Sequence, residues 1–337
     1  MTHSEYSRDL YVIILNHINL LTMKQIAIII LALCFLSMGG AKRDKHEYAC
    51  TNYNCSYETL DGQFDGKYIS FYPNAKKKAE GTLAHNYRTG VWSVWDTSGV
   101  LVLQRRYINP FDYSTVFSKD GKKTGTKEKP TSTLKYNEDG YISYFGISEE
   151  DVVWAKRIWR FLPLGRNSLL LEGDGLSTVL AKGIQSQVFQ PYTDDDFTHM
   201  RSIRPEELSG NITIGYRIVE DHFYDNKRHI CESRIIGICP VGVNYQSGDT
   251  TDLYWLYLPR IRKTLAQQRI SGANLPSYIR TLDDLFFFRY FYSQIYKEEN
   301  INDRPIKAYG PGVDEAKESE RIEIELIEKE HDFWLMN

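Results

Sequence analysis

The chain has 337 residues, a quarter of them charged, with a formal net charge of −3. That length is enough for one large or two ordinary domains with a real core, and the near-neutral balance gives no electrostatic case for a nucleic-acid partner. Aromatic residues make up 13% and include 24 tyrosines, which suits sheets and contact surfaces better than a helical bundle.

Residues 1–41 read as a secretory signal. Met23-Lys24 opens a short basic region, Ile26 to Leu36 is an apolar run, and Ser37-Met38-Gly39-Gly40-Ala41 offers small residues for cleavage after Ala41. Residues 1–22 fit poorly before such a signal, so translation is expected to start at Met23. The apolar run is well short of the roughly 20 residues that a membrane span needs. Leu33 is too bulky to precede a lipidated Cys34. An exported chain meets an oxidising compartment, where its four remaining cysteines, Cys50, Cys55, Cys231 and Cys239, can form disulfides. Cys50 and Cys55 are spaced to close on each other. Cys231 and Cys239, on one extended strand, lie about 26 Å apart, too far to bridge.

From Gly66 to Ser143 an aromatic residue repeatedly precedes a polar turn. The instances are Phe71-Tyr72-Pro73-Asn74, Val94-Trp95-Asp96-Thr97, Val116-Phe117-Ser118-Lys119 and Lys135-Tyr136-Asn137-Glu138. Three of the turns carry a glycine, at Gly99, Gly121 and Gly140. The spacing suits one hairpin per unit, stacked into an antiparallel sheet. Gly81, Asn86, Arg88, Gly90, Trp92 and Gly99 resemble MORN-type repeats and their antitoxin-like relatives; that resemblance makes the aromatics and glycines architectural. The lysine runs 76–78 and 122–123 read first as solvated strand edges, and second as contacts to anionic lipid or cell wall.

A boundary is expected near Gly146, dividing a β-repeat module at 42–147 from a mixed domain at 148–337. Ser148 and the acidic run Glu149-Glu150-Asp151 then predict a helix to about Leu162, with Val153, Trp154, Ile158 and Phe161 on its apolar face. Leu176, Val179, Leu180 and Ile184 predict a second helix. Ile212 to Val219, Ile230 to a stop at Pro240, and Leu253 to a stop at Pro259 predict strands, with a loop at Ser247-Gly248-Asp249. Asp314 to Leu335 predicts an amphipathic helix along Ser319, Ile322, Leu326 and Phe333, docked by that stripe or offered to a partner. The fold class is α+β.

Chemistry-bearing patterns are sparse. Asp221, His222, Asp225, His229 and Cys231 are the one credible ligand set, and their spacing matches no metal signature. Asp194-Asp195-Asp196 lacks the spaced oxygens of a calcium loop. The sequence has no Gly-x-Ser-x-Gly turn and no glycine-rich phosphate loop. No catalytic residue, cofactor or metal ligand is assigned. Trp154, Trp159, Trp255, Arg289 and Trp334 are of the types favoured as interface anchors, with core packing as their competing role.

The order of motifs after residue 150 is distinctive. Asp151-Val152-Val153-Trp154-Ala155-Lys156-Arg157-Ile158-Trp159-Arg160 precedes Arg234 to Pro240. Leu253-Tyr254-Trp255-Leu256-Tyr257-Leu258-Pro259, Asp284-Leu285-Phe286, Tyr296-Lys297-Glu298-Glu299-Asn300, Asp303-Arg304 and Glu330-His331-Asp332-Phe333-Trp334 follow. Over residues 150–335 this resembles the GldN/PorN family of gliding-motility and type IX secretion proteins. His222 stands where that family usually carries Trp, and the preceding repeats are not typical of it. The resemblance implies a non-enzymatic periplasmic subunit that forms a ring with a GldK/PorK-like lipoprotein under the outer membrane, within reach of inner-membrane motor proteins. The alternative expectation is a binding module whose repeats recognise a protein, a lipid surface or cell wall.

Overall fold

Alternation of apolar and polar residues builds the N-terminal half strand by strand. The computed structural model describes residues 43–336 apart from 112, 120–121, 129–133, 210, 245–248 and 273–274. The signal segment expected at 1–41, with its cleavage point, lies outside the described residues. Eight strands follow in order: β1 (Arg43–Ala49), β2 (Asn54–Leu60), β3 (Gln63–Phe71), β4 (Lys77–Ala84), β5 (Tyr87–Trp95), β6 (Leu101–Tyr107), β7 (Tyr113–Lys119) and β8 (Lys122–Glu128). They form one sheet in chain order, antiparallel from β2 to β8. Tyr57, Phe64, Tyr68, Trp92, Val94 and Leu103 are buried on one face. Gly81 on β4 has a specific reason to be glycine: a β-carbon there would sit 2.1 Å from the Trp92 ring.

The repeat is most visible in its turns. Ala75, Gly99 and Gly140 each donate a backbone N–H to the residue three earlier, Tyr72, Asp96 and Asn137, at 2.9, 2.9 and 3.0 Å. All three have positive φ, at 62°, 87° and 86°, the conformation that closes this type of turn. The first two cap the β3–β4 and β5–β6 hairpins. The Asn137 turn stands apart from the sheet: Tyr136 and Ile142 form an isolated bridge, and Ile142 packs in the other main core.

A second sheet has the order β10-β14-β12-β11-β9-β15, with β13 on β12. Its strands are β9 (Val152–Pro163), β10 (Pro191–Tyr192), β11 (Asn211–Asp225), β12 (Ile230–Asn244), β13 (Thr250–Asp252), β14 (Trp255–Tyr257) and β15 (Gln294–Glu298). The helix expected at 149–162 is therefore a strand, preceded by a single 3₁₀ turn at Glu149–Asp151. Ile158, Trp159 and Arg160 are buried in succession because both faces are covered there. That breaks the two-residue alternation and counterfeits helical spacing.

Pro240 does not stop its strand. Leu253 N–H donates to the Pro240 carbonyl at 2.9 Å, and on an antiparallel strand a residue's N–H points to the same side as its carbonyl. On that side β14 pairing ends at Ile238 and β13 pairing begins at Val241. The missing N–H falls in the gap between them, a tolerated position for proline. The expected strand from Leu253 is shorter than predicted: Leu258 already begins a helix, with Pro259 in its first turn. Most of the loop expected there lies outside the described residues; Asp249 is described.

Five α-helices and three further short 3₁₀ turns complete the described chain: α1 (Leu176–Gln185), α2 (Pro205–Ser209), α3 (Leu258–Ala266), α4 (Leu282–Phe287) and α5 (Glu315–Leu335). α1 buries Leu176, Val179, Leu180 and Ile184, as its spacing predicts. Thr281 and Asp284 cap α4 reciprocally, and Asp314 caps α5 by accepting from the N–H groups of Ala316 and Lys317. The fold is α+β, and Lys45–Asn337 forms one compact unit.

Candidate functional site

α5 joins the two sheets through two apolar stripes. Ser319, Ile322, Leu326 and Phe333 form the expected one. Ile322 and Leu326 pack with Ile158 of β9, Ile295 of β15 and Ile306. The Ser319 hydroxyl accepts from Ile295 N–H at 2.9 Å, and Phe333 stacks on Tyr224 at 4.0 Å. A second stripe, Ile324, Ile327, His331 and Trp334, is rotated around the helix toward the repeat sheet. There Ile324 and Trp334 belong to the core of Tyr57, Tyr68 and Trp92. Its positions, three, seven and ten residues on from Ile324, were a readable signal that the charged residues between them obscured.

The second stripe carries a buried charge centre. Glu328 Oε1 accepts from the Tyr68 hydroxyl at 2.8 Å and from His331 Nδ1 at 3.1 Å. Lys78 Nζ lies 2.9 Å from Glu328 Oε2 and 2.6 Å from Asp332 Oδ1. Arg88 Nη2 stands 3.4 Å from His331 Nε2. A guanidinium only donates, so Nε2 is the acceptor and the ring proton is on Nδ1, in a neutral imidazole. Burial holds His331 below its ordinary 6.5, against the opposing pull of Glu328. Burial alone would raise the Glu328 carboxyl, but His331 and Lys78 outweigh it and hold it well below the usual carboxylate range.

Both shifts are downward, so the unfolded chain binds more protons as the medium acidifies. Stability from His331 is complete above about pH 6.5 and declines as pH falls through its lowered folded value; that from Glu328 declines below about pH 4.5. We expect His331→Gln to flatten the loss of stability between about pH 7 and pH 5, measured by urea unfolding across pH. An unchanged slope would mean that His331 does not set it.

A second charge centre faces α5 from the other sheet. Glu220 of β11 is fully buried and accepts from Arg160 Nε of β9, with His222 Nε2 at 2.7 Å and an ion pair to Arg289. Arg160 also donates Nη2 to Glu323 of α5 at 2.9 Å. Burial opposes ionisation of Glu220, but Arg160, Arg289 and His222 hold its carboxyl well below its ordinary range.

The segment that builds the second sheet and α5 is the one with a recognised family. The family described as gliding motility associated protein GldN matches residues 147–215 and 201–335, together more than half of the chain. The chain belongs to the GldN family. It is thus a component of the gliding-motility and type IX secretion machinery. No curated protein matches the chain.

Within the GldN region the expected anchor residues are largely internal. Trp159 and Trp255 are 7% and 5% exposed and share a small core with Tyr192, Val219 and Cys239; Trp334 is 1% exposed, beneath the Arg105 guanidinium at 4.2 Å. Trp154 is half-buried against Phe333, and Arg289 is held by Glu220. The side chains of the one credible ligand set named from the sequence are engaged separately. Asp221 pairs with Arg157, Asp225 with Arg228 and His222 with Glu220, while His229 lies 3.3 Å from the Tyr224 hydroxyl. Among the described residues the one grouping of metal-ligand type is Asp194, Asp196 and His199, in the acidic loop, where Thr198 bonds Asp196. Cys50, Cys55, Cys231 and Cys239 are all free thiols here.

One edge of the GldN sheet is open. β15 pairs with β9 only over Ile158–Phe161, and the contact ends where Glu299 N–H donates to the Arg157 carbonyl at 2.8 Å. Ala155, two residues earlier, directs its N–H and carbonyl to the same side as Arg157. Among the described residues no strand lies beside it. The flanking Val153 is 59% exposed.

Proposed function

We propose that this GldN-family chain is a non-enzymatic structural subunit of the periplasm that assembles with a GldK/PorK-like outer-membrane lipoprotein into a ring. The family match over 147–335 carries this reading. The geometry supports it in a particular way. The large aromatic and charged groups of the GldN region are engaged inside the chain, so assembly uses backbone and shape more than a few protruding anchors. The open edge of β9 is the surface we assign to it, because an unpaired strand edge is a template for a neighbouring strand.

A clean deletion tests the reading as a whole: secretion and surface gliding should both stop. Normal secretion and gliding in the deletion strain would refute it. For the edge, Ala155→Pro removes the N–H that strand addition needs without removing a bond inside the chain. Sedimentation should show the variant folded but shifted from large particles toward single subunits. Particles of unchanged size would place the contact elsewhere.

A further inference from the structure

Between β5 and β6 of the repeat sheet, the second sheet and α5 lies a cavity of about 230 Å³. Three buried donor atoms belong to residues on its wall and have no hydrogen-bond partner among the described residues: Tyr87 Oη, Arg88 Nε and Arg289 Nη1. Buried donors are almost always satisfied, so three around one space call for an explanation. The nearby acceptors are already engaged. Glu220 serves Arg160, His222 and Arg289, Glu323 serves Arg160, and Glu330 serves Arg88. Arg289 itself sits at φ 56°, a backbone conformation that a long side chain adopts at a cost. One edge of its guanidinium meets Glu220 while Nη1 is left over. Phe111, Phe223, Phe287 and Phe291 make much of the remaining wall apolar.

We propose that this cavity binds a small apolar monocarboxylate, whose carboxylate accepts from Arg289 Nη1 and Tyr87 Oη while its hydrocarbon or aromatic body lies against the phenylalanines. Among the residues that line the cavity the unpartnered atoms are all donors, which selects an acceptor and rejects a cation. Glu220 and Glu323 already offset Arg160 and Arg289, which disfavours a multiply charged phosphate. The volume suits a molecule of modest size.

The test is calorimetric titration of the purified full chain with 4-phenylbutyrate and with its neutral amide. The acid should bind roughly tenfold or more tightly than the amide, since a charge-assisted bond to Arg289 is lost in the amide. Tyr87→Phe should weaken the acid roughly tenfold while leaving the unliganded melting temperature unchanged or higher, because it deletes a donor that has no partner. Arg289→Lys, which retains a cation for Glu220, should also lose the preference for acid over amide. Equal affinity for acid and amide, full affinity in Tyr87→Phe, or no binding at about 10 mM would each overturn the proposal. So would a cavity that holds only water in a crystal grown with 4-phenylbutyrate.

Discussion

Gly81→Ala should be among the most damaging single changes in the repeat sheet. The new methyl group would lie 2.1 Å from the Trp92 ring, far inside contact distance. Trp92 has nowhere to retreat: it is fully buried, and its indole N–H donates to the Thr82 carbonyl at 3.0 Å. His331 of α5 packs against it at 5.3 Å between ring centres. Overpacking of this kind costs about 3 kcal/mol, measured as a lower urea midpoint. The damage should also reach α5, since Trp92 is part of the surface on which the helix rests. Trp92→Leu should be costly alone but should absorb much of the Gly81→Ala penalty in the double variant. Full additivity of the two changes would mean that they do not act through this contact.

Lys78→Met is the second change expected to have a large effect. Lys78 is 4% exposed and, among the described residues, supplies the one full positive charge in direct contact with Glu328, itself 1% exposed. Without it the carboxylate remains buried with only the Tyr68 hydroxyl and His331 N–H as donors. Removing one partner of a buried pair costs roughly 3–5 kcal/mol, much of it the penalty of the charge left behind. The double variant Lys78→Met with Glu328→Gln should therefore be more stable than Lys78→Met alone, by urea unfolding at neutral pH. A double variant that is worse than the single would show that the Glu328 charge is held by something other than Lys78.

Which parts of this fold could be read from the residues follows from how many neighbours each element has. α5 is legible because its cap and one stripe are local: Asp314 precedes the helix, and Ser319, Ile322, Leu326 and Phe333 repeat along it. The repeat sheet is legible for the same reason, since each hairpin pairs with the next and Asn74 and Asp96 mark turns within it. β9 is not legible. Ser148 and three acidic residues imitate a helix start, and the burial of Ile158, Trp159 and Arg160 comes from β11 and β15, which lie far away in sequence. Pro240 misleads because the gap that accommodates it is made by β13 and β14, not by its own strand. The second stripe of α5 contains His331 and flanks Glu328, residues that read as surface until Lys78 and Tyr68 are placed beside them. The expected anchors show the same limit: a tryptophan looks alike in sequence whether it faces a partner or, like Trp334, lies under Arg105.

The division expected at residue 147 falls between two sheets with separate main cores, but Ile324 and Trp334 of α5 cross it to complete the core of the repeats. Because Lys45–Asn337 is one compact unit with α5 packed on both sheets, the repeats and the GldN region are expected to unfold together. That gives the assembly reading its sharpest test. Tagged protein is to be recovered from the envelope of its own host under mild conditions, sized, and its companions identified by mass spectrometry. We predict a large particle with a lipoprotein of the GldK/PorK type in roughly stoichiometric amount. A single chain recovered alone, or with one small partner and no lipoprotein, would contradict the account.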